Sequence, residues 1–507
     1  MPLGSLMRKR AYISRDKVAL IFEGKKITYG ELNRRANRVA RGLASLGVKK
    51  GDRVAIFSRN CTQYVEALFG TLKLGGIFVP LNFRLTVEET LYQVTDCAPR
   101  VFIFENEFAR QAGAARQKWP SKELALITTE TPLEKDHLGY EDFLREQGES
   151  EPEVELDLED PFMIMYTSGT TGHPKGVVST YKKSFFHTLA LLLFIDMTSS
   201  DVNLIVLPLF HTYGMHAILI PGLCRGATLV ILRNFDARRV LETIPKYRVT
   251  SFSAIPMMLE EILRVPDLSS FDLSSLKYFG TSAQSISRGV LEEYGRRGIP
   301  VLQGFGITEF PAIYCLPIGD SLRKMGSVGL SQLIGEFRIV NEQFQTVQLG
   351  EVGEIIARGP QVMKEYWKRP EETKRVFRDG WYLTGDLARM DEEGYAYIVD
   401  RKKDMYISGG ENVYPAEVER VLTSHPGIAE AAVVGVKDEK WGEVGKAFIV
   451  PTKDSKATEG EILEFCKGKL ASYKIPKYLA FLPELPKTAS GKVKKFELRG
   501  KDGVERF

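Results

Sequence analysis

The segment most suited to chemistry is the twelve-residue stretch Tyr166–Val177, which reads YTSGTTGHPKGV. It overlaps an apolar run, Pro161–Tyr166, that predicts a buried strand. After Tyr166 come three glycines, four hydroxyl side chains and one lysine, Lys175. Such a loop can fold backbone N–H groups and hydroxyls around phosphate oxygens, because glycine lacks the Cβ that blocks close approach and lysine adds a positive charge. The composition therefore predicts a phosphate-binding loop.

The order of residues in this loop differs from that of the Walker loop, G-x-x-x-x-G-K-[ST]. Lys175 lies three residues after Gly172 and is followed by Gly176. No Ser or Thr is therefore placed here to hold magnesium. Taken alone, the stretch is also compatible with a flexible turn rich in Ser, Thr and Gly.

Further segments carry residues that suit nucleotide chemistry. A carboxylate beside a hydroxyl suits magnesium, which takes hard oxygen ligands, and a flat aromatic ring suits a base. A carboxylate can also accept both hydroxyl protons of a vicinal diol. The segments are QGFGITE at 303–309 and WYLTGD at 381–386.

Alternating helical and strand-like patterns must position these segments. Tyr29–Leu46 has apolar residues at helical spacing, and the short apolar runs Arg53–Ser58 and Val101–Phe104 predict buried strands. Strands separated by single helices predict an α/β fold with parallel sheets. Beyond about residue 330 the pattern changes to short strands with Gly-rich turns, and after Asp400 to a charged α+β texture. The main boundary is predicted at 400–403.

Composition excludes several classes of protein. A chain of 507 residues corresponds to about three core-forming units. Its 69 basic and 65 acidic residues leave a net charge of +4, too small to gather nucleic acid. The longest apolar run, Leu189–Ile195, is far shorter than the roughly 20 residues of a membrane helix. The start of the chain lacks the apolar segment of a secretory signal. Five widely spaced cysteines without a C-x-x-C pair favour a reducing, cytoplasmic location.

The Tyr166–Val177 loop closely resembles the phosphate loop of the adenylate-forming superfamily, which includes acyl- and aryl-CoA synthetases, firefly-type luciferases and peptide-synthetase adenylation domains. The resemblance runs in order from ITYGEL near the start to PKTASGK near the end. It implies a large N-terminal domain over 1–400 that binds ATP and an acid, with a small β-barrel-like subdomain over about 330–400. It further implies a hinge at 401–403 and a small mobile α+β lid domain over 404–507.

The resemblance also implies roles for individual residues. Phe305 stacks on adenine, Thr308 touches the α-phosphate and Glu309 holds magnesium. Asp386 and Arg401 bond the ribose hydroxyls from two sides. The other nucleotide-binding residues lie in the phosphate loop and the adenine-side turn: Thr167, Ser168, Gly169, Thr170, Thr171, Gly172, Lys175, Ser282 and Ala283.

Two positions depart from the family pattern. Phe305 stands where a tyrosine is usual, which keeps the stacking face and removes the phenol. Thr281 stands where a glycine is usual, which narrows the space beside the base. Both departures leave the affinity for ATP open.

In the C-terminal part, the resemblance gives Lys492 the role of a catalytic cation that bridges the substrate carboxylate and the α-phosphate. The need is electrostatic, because a carboxylate must approach an already anionic phosphate. Lys403 corresponds to the hinge residue. Gly409 and Gly410 would line the channel for the pantetheine arm of coenzyme A.

The segment PLFHTYGM at 208–215 bears on the substrate. Peptide-synthetase adenylation domains have Asp after the Phe, whereas this chain has His211. A buried ammonium without a carboxylate is heavily penalised, so an amino acid substrate is not expected. By resemblance His211 gates the acyl pocket and, with Lys492, Thr308 and Glu309, completes the catalytic set. The predicted pocket residues are His211, Thr212, Tyr213, Ser253, Gly280, Gly304, Gly306 and Phe310.

Because these pocket residues are mostly small or apolar, the sequence predicts an apolar monocarboxylate, fatty or aromatic. The predicted enzyme is an acid–CoA ligase that uses ATP, magnesium and coenzyme A. A carrier-protein loading enzyme is an alternative that shares the first half-reaction, and a non-catalytic nucleotide-binding protein is an alternative of another class. The exact acid and the oligomeric state stay open, a homodimer included.

Overall fold

The computed structural model describes residues 3–118, 124–167, 174–282, 286–408, 411–453, 455–467, 469–488 and 491–500. The chain divides into two compact units. The first runs up to Phe337 and again from Ala357 to Tyr382, and the second comprises Arg338–Ile356 and the chain from Leu383 onward. The predicted hinge at 401–403 falls within the second unit and stays a prediction.

The first sheet of the first unit is parallel through its centre. Its strands pair in parallel from Val301–Phe305 across to Val18–Phe22, and its outer strands are antiparallel. The parallel sheet predicted from the alternating pattern is confirmed. In spatial order the strands are Leu330–Ser331, Tyr314–Cys315, Val301–Phe305, Tyr278–Thr281, Ser251–Ser253, Val202–Ile205, Thr228–Ile231, Val18–Phe22 and Lys25–Thr28.

The second sheet of this unit is parallel from Pro161–Thr167 to His137–Gly139 and ends, on the other side, in an antiparallel hairpin. That hairpin leads into and out of the predicted phosphate loop. In spatial order the strands are Glu365–Tyr366, Lys175–Thr180, Pro161–Thr167, Ile77–Pro80, Arg53–Phe57, Val101–Phe104, Ala125–Thr128 and His137–Gly139.

Helices pack against these sheets through apolar stripes. Tyr29–Ser45 begins at a capping box in which Thr28 and Glu31 satisfy each other's backbone N–H groups. It ends before Gly47, whose φ of +79° favours glycine. The other helical segments are Leu3–Ile13, Thr62–Lys73, Val87–Cys97, Asn106–Phe108, Ala109–Lys118, Tyr140–Arg145, Tyr181–Phe194, Tyr213–Leu219, Ile220–Arg225, Ala237–Tyr247, Pro256–Leu263, Leu268–Ser270, Arg288–Arg296 and Pro370–Arg375.

The second unit contains a small α+β body with its own apolar core, built on buried residues such as Tyr406, Val418 and Ile449. The predicted α+β texture after Asp400 is therefore confirmed. Its sheet has the order Glu411–Val413, Tyr406–Ser408, Gly442–Pro451 and Ile428–Asp438, and Tyr478–Phe481 also pairs with Gly442–Pro451. Its helical segments are Pro415–Thr423, Glu459–Cys466, Ser472–Lys474 and Lys495–Gly500.

Before this body the chain forms β-structure. The remaining strands are Glu336–Val340, Gly353–Arg358, Phe377–Arg378, Trp381–Met390 and Ala396–Arg401. The last two of these pair antiparallel from Asp386 and Arg401 onward. This agrees with the short strands and tight turns predicted for about 330–400. In the part of the chain that the structure describes, no helix is long and apolar enough to cross a bilayer.

Candidate active site

The phosphate-loop hairpin brings Thr167 and Lys175 together. The two residues are partners in the antiparallel register, and the Thr167 hydroxyl donates to the Lys175 carbonyl over 3.5 Å. The seven-residue connection that the sequence predicts to wrap phosphate therefore starts and ends at adjacent points of one sheet. Several predicted site residues lie outside the described part of the chain: Ser168, Gly169, Thr170, Thr171, Gly172, Ala283, Gly409 and Gly410.

The Lys175 side chain lies over the ring of Tyr366, with its Nζ 5.3 Å from the ring centre. It also forms an ion pair with Glu372, on the helix Pro370–Arg375. Glu372 thus balances the positive charge of Lys175.

Two groups of Glu309, its carboxylate and its backbone carbonyl, each accept a hydrogen bond. Its Oε1 accepts a hydrogen bond of 2.8 Å from the Tyr366 hydroxyl, and its backbone carbonyl accepts one of 2.7 Å from the Met363 N–H. The residue is half-buried, as is Thr308 beside it. Magnesium at phosphate sites is commonly held by one or two carboxylates together with phosphate oxygens and water. An oriented, partly accessible carboxylate next to a hydroxyl fits that donor set.

A buried lysine, Lys183, contacts the backbone of the Thr308–Glu309 segment. The Nζ of Lys183, a residue only 1% exposed, donates to the Thr308 carbonyl over 2.7 Å and to the Ser179 hydroxyl over 2.8 Å. Burial lowers the pKa of Lys183 to about 7, although the negative charge of Glu309 acts in the opposite direction and raises this pKa. Burial also lowers the pKa of the neighbouring His187 to about 3. It holds the pKa of His216 well below its usual value, so both rings are neutral near pH 7.

The predicted adenine side is arranged around the end of the strand Val301–Phe305. Phe305 is half-buried, with its ring centre 6.5 Å from that of Tyr314. Thr281 pairs with Gln303 in the parallel register and is 1% exposed. Its side chain thus lies inside the fold, whereas the neighbouring Ser282 is half-buried.

Small side chains of the predicted acyl pocket meet at the carboxyl ends of parallel strands. A Cβ placed on Gly280 would collide with the Ser253 hydroxyl and would lie 3.1 Å from the Tyr213 hydroxyl. Tyr213 and Ser253 are hydrogen-bonded, and burial raises the pKa of Tyr213, so its phenol stays neutral. These residues form one contiguous patch with a hydroxyl pair at its centre.

The two other glycines predicted for the pocket differ in their surroundings. A Cβ on Gly304 would have the Tyr314 carbonyl oxygen as its nearest neighbour, at 3.8 Å, whereas a Cβ on Gly306 would collide with the Ala312 backbone N. Phe310 is fully buried and packs edge-on against Phe337 with ring centres 5.4 Å apart. Among the described residues other than its chain neighbours, no atom lies closer than 3.8 Å to a Cβ on Gly304. Phe310, in contrast, packs into the core.

His211 and Thr212 precede the π-helical segment Tyr213–Leu219. The His211 Nδ1 accepts a hydrogen bond of 3.3 Å from the Tyr213 N–H, and the Thr212 hydroxyl lies 3.3 Å from the His216 Nδ1. Both residues are half-buried. The contact with Tyr213 places His211 at the border of the same patch.

In the second unit, the two predicted ribose residues are cross-strand partners. Asp386 faces Arg401 in the antiparallel register, and the Arg401 Nε lies 2.5 Å from the Asp386 Oδ1. Glu354 supports the strand segment directly before Asp386, because its carboxylate accepts from the Gly385 N–H and pairs with Lys402, each over 3.0 Å. The pairing thus presents a carboxylate and a guanidinium side by side.

The remaining predicted residues of the second unit lie in turns. Lys403 is exposed in a turn in which the N–H groups of Asp404 and Met405 both donate to the Arg401 carbonyl. Lys492 is exposed, and its N–H donates to the Thr488 hydroxyl over 3.1 Å while its carbonyl accepts from the Thr488 N–H over 2.7 Å. Its side chain extends from a hydrogen-bonded turn.

Comparison with known proteins identifies the class. The family model for AMP-binding enzymes matches residues 7–367, and the model for the C-terminal domain of AMP-binding enzymes matches residues 417–492. The chain therefore belongs to the AMP-binding enzyme family. It falls in the acyl-CoA synthetase branch of the adenylate-forming superfamily, as the sequence resemblance implies.

Individual relatives cover nearly the whole chain. It is 38% identical over 506 residues to a feruloyl-CoA synthase from Amycolatopsis sp., covering 99% of both chains. It is 36% identical over 502 residues to a long-chain-fatty-acid–CoA ligase from Mycobacterium tuberculosis, covering 98% of both. The structure of the Bacillus subtilis o-succinylbenzoate–CoA synthetase with ATP and magnesium is similar with a TM-score of 0.87 and 34% identity, over 98% of this chain and 99% of that one.

Sequence reasoning did not find Lys183, Glu354, Tyr366 and Glu372. Lys183, Tyr366 and Glu372 each contact a predicted site residue from a distant point in the chain. Glu354 contacts Gly385 and Lys402, which are the sequence neighbours of Asp386 and Arg401. Lys183 follows another lysine in the polar run TYKKS, so nothing local distinguishes it from a solvated charge. Only the three-dimensional arrangement identifies these four residues.

Proposed function

We propose that this enzyme is an AMP-forming acid–CoA ligase that activates an apolar carboxylic acid, fatty or aromatic. The observation that carries the proposal is the geometry around Glu309. Its carboxylate is oriented by Tyr366, and the ring of the same Tyr366 lies under the phosphate-loop lysine, Lys175. One aromatic residue therefore links the proposed magnesium ligand to the proposed phosphate cation. The full-length relatives, each a CoA ligase or synthase by name, support the same activity.

The reaction has two steps. A carboxylate oxygen of the acid attacks the α-phosphorus of ATP, forming the acyl-adenylate as the bond to pyrophosphate breaks. The CoA thiol then loses its proton and attacks the acyl carbon, and AMP leaves. Glu309 would hold magnesium, which would neutralise phosphate charge in the first step.

This chain's residues bind and orient the reactants. Lys175 and Thr308 hold phosphate oxygens, and Asp386 with Arg401 holds the ribose. Phe305 supplies a face for adenine. Lys492 supplies positive charge where the acid carboxylate meets the α-phosphate, which lowers the repulsion between two anions.

The acid is assigned to the patch of Tyr213, Ser253 and Gly280, with Gly304, on the same sheet, as a further lining residue. These side chains carry no formal charge, so they suit an apolar tail better than a second carboxylate. The relatives named for feruloyl-CoA and long-chain fatty acyl-CoA synthesis support an aryl or alkyl acid. Loading of a carrier protein remains the rival for the second step.

A pyrophosphate-exchange screen over fatty, aryl and amino acids, followed by product analysis with and without CoA, tests this function. We expect exchange with at least one apolar monocarboxylate and an acyl-CoA product when CoA is added. Exchange with no carboxylate would reject adenylate formation. Exchange followed by transfer only to a phosphopantetheine-bearing protein would favour the rival.

Substitution of Gly304 tests the placement of the acyl pocket. Because no described residue other than its chain neighbours comes closer than 3.8 Å to a Cβ on Gly304, we expect Gly304→Val to fold normally. We expect it to raise the KM for the largest accepted acid by about tenfold, the order expected for a few lost methylene contacts. Small acids should be affected least. Steady-state kinetics over an acid series measures this.

Gly306→Ala is the matched control, because its Cβ would collide with the Ala312 backbone. It should lower the thermal midpoint and impair all acids alike. If the KM values over the acid series are unchanged in Gly304→Val, the acyl pocket does not include Gly304.

The hinge role of Lys403 is tested with Lys403→Pro. Proline fixes φ and so opposes backbone rotation within the turn that closes on the Arg401 carbonyl. We expect the rate of thioester formation to fall by about tenfold or more, while adenylate formation changes little. Separate assays of the two half-reactions measure this, and equal losses in both would contradict a hinge at this residue.

We also propose a cytoplasmic location. All five cysteines, which lie in the described part of the chain, are free thiols, and Cys61, Cys97, Cys315 and Cys466 are buried. Burial raises the pKa of Cys61, Cys97, Cys224 and Cys315 to about 12. Unpaired, protonated thiols suit a reducing compartment.

A further inference from the structure

The buried lysine behind the Thr308–Glu309 segment has no place in the reaction described so far. Lys183 lies in the first turn of the helix Tyr181–Phe194, where the positive end of the helix dipole disfavours a cation. Burial of an ammonium costs several kcal/mol unless its donors are used. Local helix stability therefore does not explain a lysine at this position.

The contacts of Lys183 point to the segment that it touches. Among the described residues its Nζ makes no ion pair, and its donors go to the Thr308 carbonyl and the Ser179 hydroxyl. The Thr308 carbonyl belongs to the peptide group that joins Thr308 to Glu309. A hydrogen bond to it fixes the plane of that peptide, and with it the directions in which the Thr308 and Glu309 side chains leave the backbone.

Together these contacts hold Glu309 at three points. Lys183 holds the peptide before it, the Met363 N–H holds its own carbonyl, and the Tyr366 hydroxyl holds its carboxylate. Lys183 also belongs to the helix that follows directly on the strand Lys175–Thr180. It therefore connects the chain segment of the phosphate-loop lysine to the segment of the magnesium ligand.

We propose that Lys183 is a positioning residue that ties the Thr308–Glu309 peptide to the phosphate-loop strand and so sets the geometry of metal and α-phosphate binding. The inference rests on the proposed function, because it takes Thr308 and Glu309 as nucleotide-site residues. A protonated and a neutral amine both carry N–H donors, so the tether does not depend on the charge of Lys183.

The test compares Lys183→Met, which keeps chain length and apolar volume but removes the donors, with two matched controls. Lys182→Met changes the adjacent exposed lysine, whose Nζ pairs with Glu159 over 2.7 Å. Lys73→Met removes another buried lysine, paired with Glu151 over 2.5 Å and distant in sequence from every proposed site residue. The readouts are pyrophosphate exchange, thermal midpoint, and Mn²⁺ affinity by electron paramagnetic resonance with α,β-methylene-ATP.

For Lys183→Met we expect the kcat of exchange to fall by about 10²-fold, the order seen when a reacting group is displaced by about 1 Å. The KM for the acid should stay near its wild-type value, and the Mn²⁺ dissociation constant should rise by about tenfold, as on loss of an outer-shell partner of a metal ligand. In a Glu309→Gln background, Lys183→Met should add little to the loss of Mn²⁺ affinity, because both changes act on one ligand. Lys73→Met should lower the thermal midpoint only.

Wild-type kcat and Mn²⁺ affinity in a folded Lys183→Met would overturn the inference, as would an equal kinetic loss in Lys73→Met. If Lys183→Met does not fold, Ser179→Ala removes the other partner of the ammonium. It should then show a smaller loss of the same kind, and wild-type behaviour would overturn the inference. The proposed function would instead be rejected if the wild-type enzyme showed no pyrophosphate exchange with any of the acids tested.

Discussion

Lys492→Ala is expected to slow adenylate formation by about 10²- to 10³-fold, the effect of removing one preorganised group that stabilises transition-state charge. The side chain extends from the turn that Thr488 closes through both its hydroxyl and its N–H. Truncation leaves these two backbone N–H bonds intact and removes the side-chain cation. Pyrophosphate exchange measures the loss.

The second half-reaction should respond differently to this substitution. When the acyl-adenylate is supplied directly, no carboxylate has to approach a phosphate, so thioester formation should stay close to the wild-type rate. Lys494→Ala is the matched control, since Lys494 lies two residues on and pairs with Glu497 over 3.0 Å. Two results would contradict a catalytic role for Lys492. One is an equal loss of rate in adenylate and thioester formation, and the other is an equal loss of rate in Lys492→Ala and Lys494→Ala.

Glu309→Gln should reduce exchange to a similar extent, by about 10²- to 10³-fold. The amide oxygen of glutamine can still accept the Tyr366 hydroxyl bond, so the fold around it is preserved. What is lost is the negative charge that a hard divalent cation requires. Raising the magnesium concentration should recover part of the rate, and a titration of rate against free magnesium measures the shift.

Tyr366→Phe separates orientation from charge. It keeps the ring under Lys175 and removes the hydroxyl that donates to the Glu309 Oε1. Loss of an outer-shell hydrogen bond to a metal ligand costs about 10- to 100-fold, so this variant should be less impaired than Glu309→Gln. A Glu309→Gln enzyme with wild-type magnesium dependence would show that the metal is held elsewhere.

Much of the fold could be predicted because its signals are local. The helix Tyr29–Ser45 carries its own apolar stripe, cap and glycine stop, and buried strands such as Val101–Phe104 are short apolar runs. Strands that alternate with single helices favour parallel pairing, whatever the detailed packing. The order of the strands could not be predicted in this way. Val18–Phe22 pairs with Thr228–Ile231, about 200 residues away in the sequence, and the periodicity of apolar residues carries no information about such a pairing.

Where a motif carries its own chemistry, the sequence also predicts which residues lie together. By resemblance Asp386 and Arg401 both bond the ribose, and the antiparallel register sets them side by side. The ribose contact itself stays a prediction. The residues that support the site could not be predicted, because nothing in the local sequence distinguishes Tyr366 and Glu372. Only folding brings them to Glu309 and Lys175. Gly304 and Gly306 look alike in sequence, yet only the positions of Tyr314 and Ala312 show which of them can accept a side chain.

The burial of the cysteines has a practical consequence for measuring turnover. A thiolate is the species that attacks disulfide reagents, and a thiol whose pKa is raised to about 12 supplies almost none of it near neutrality. When samples are withdrawn from a native reaction mixture, a colorimetric disulfide reagent should therefore report the remaining free CoA with little protein background. A fall of that signal from sample to sample would follow acyl transfer, without radiolabel or coupling enzymes.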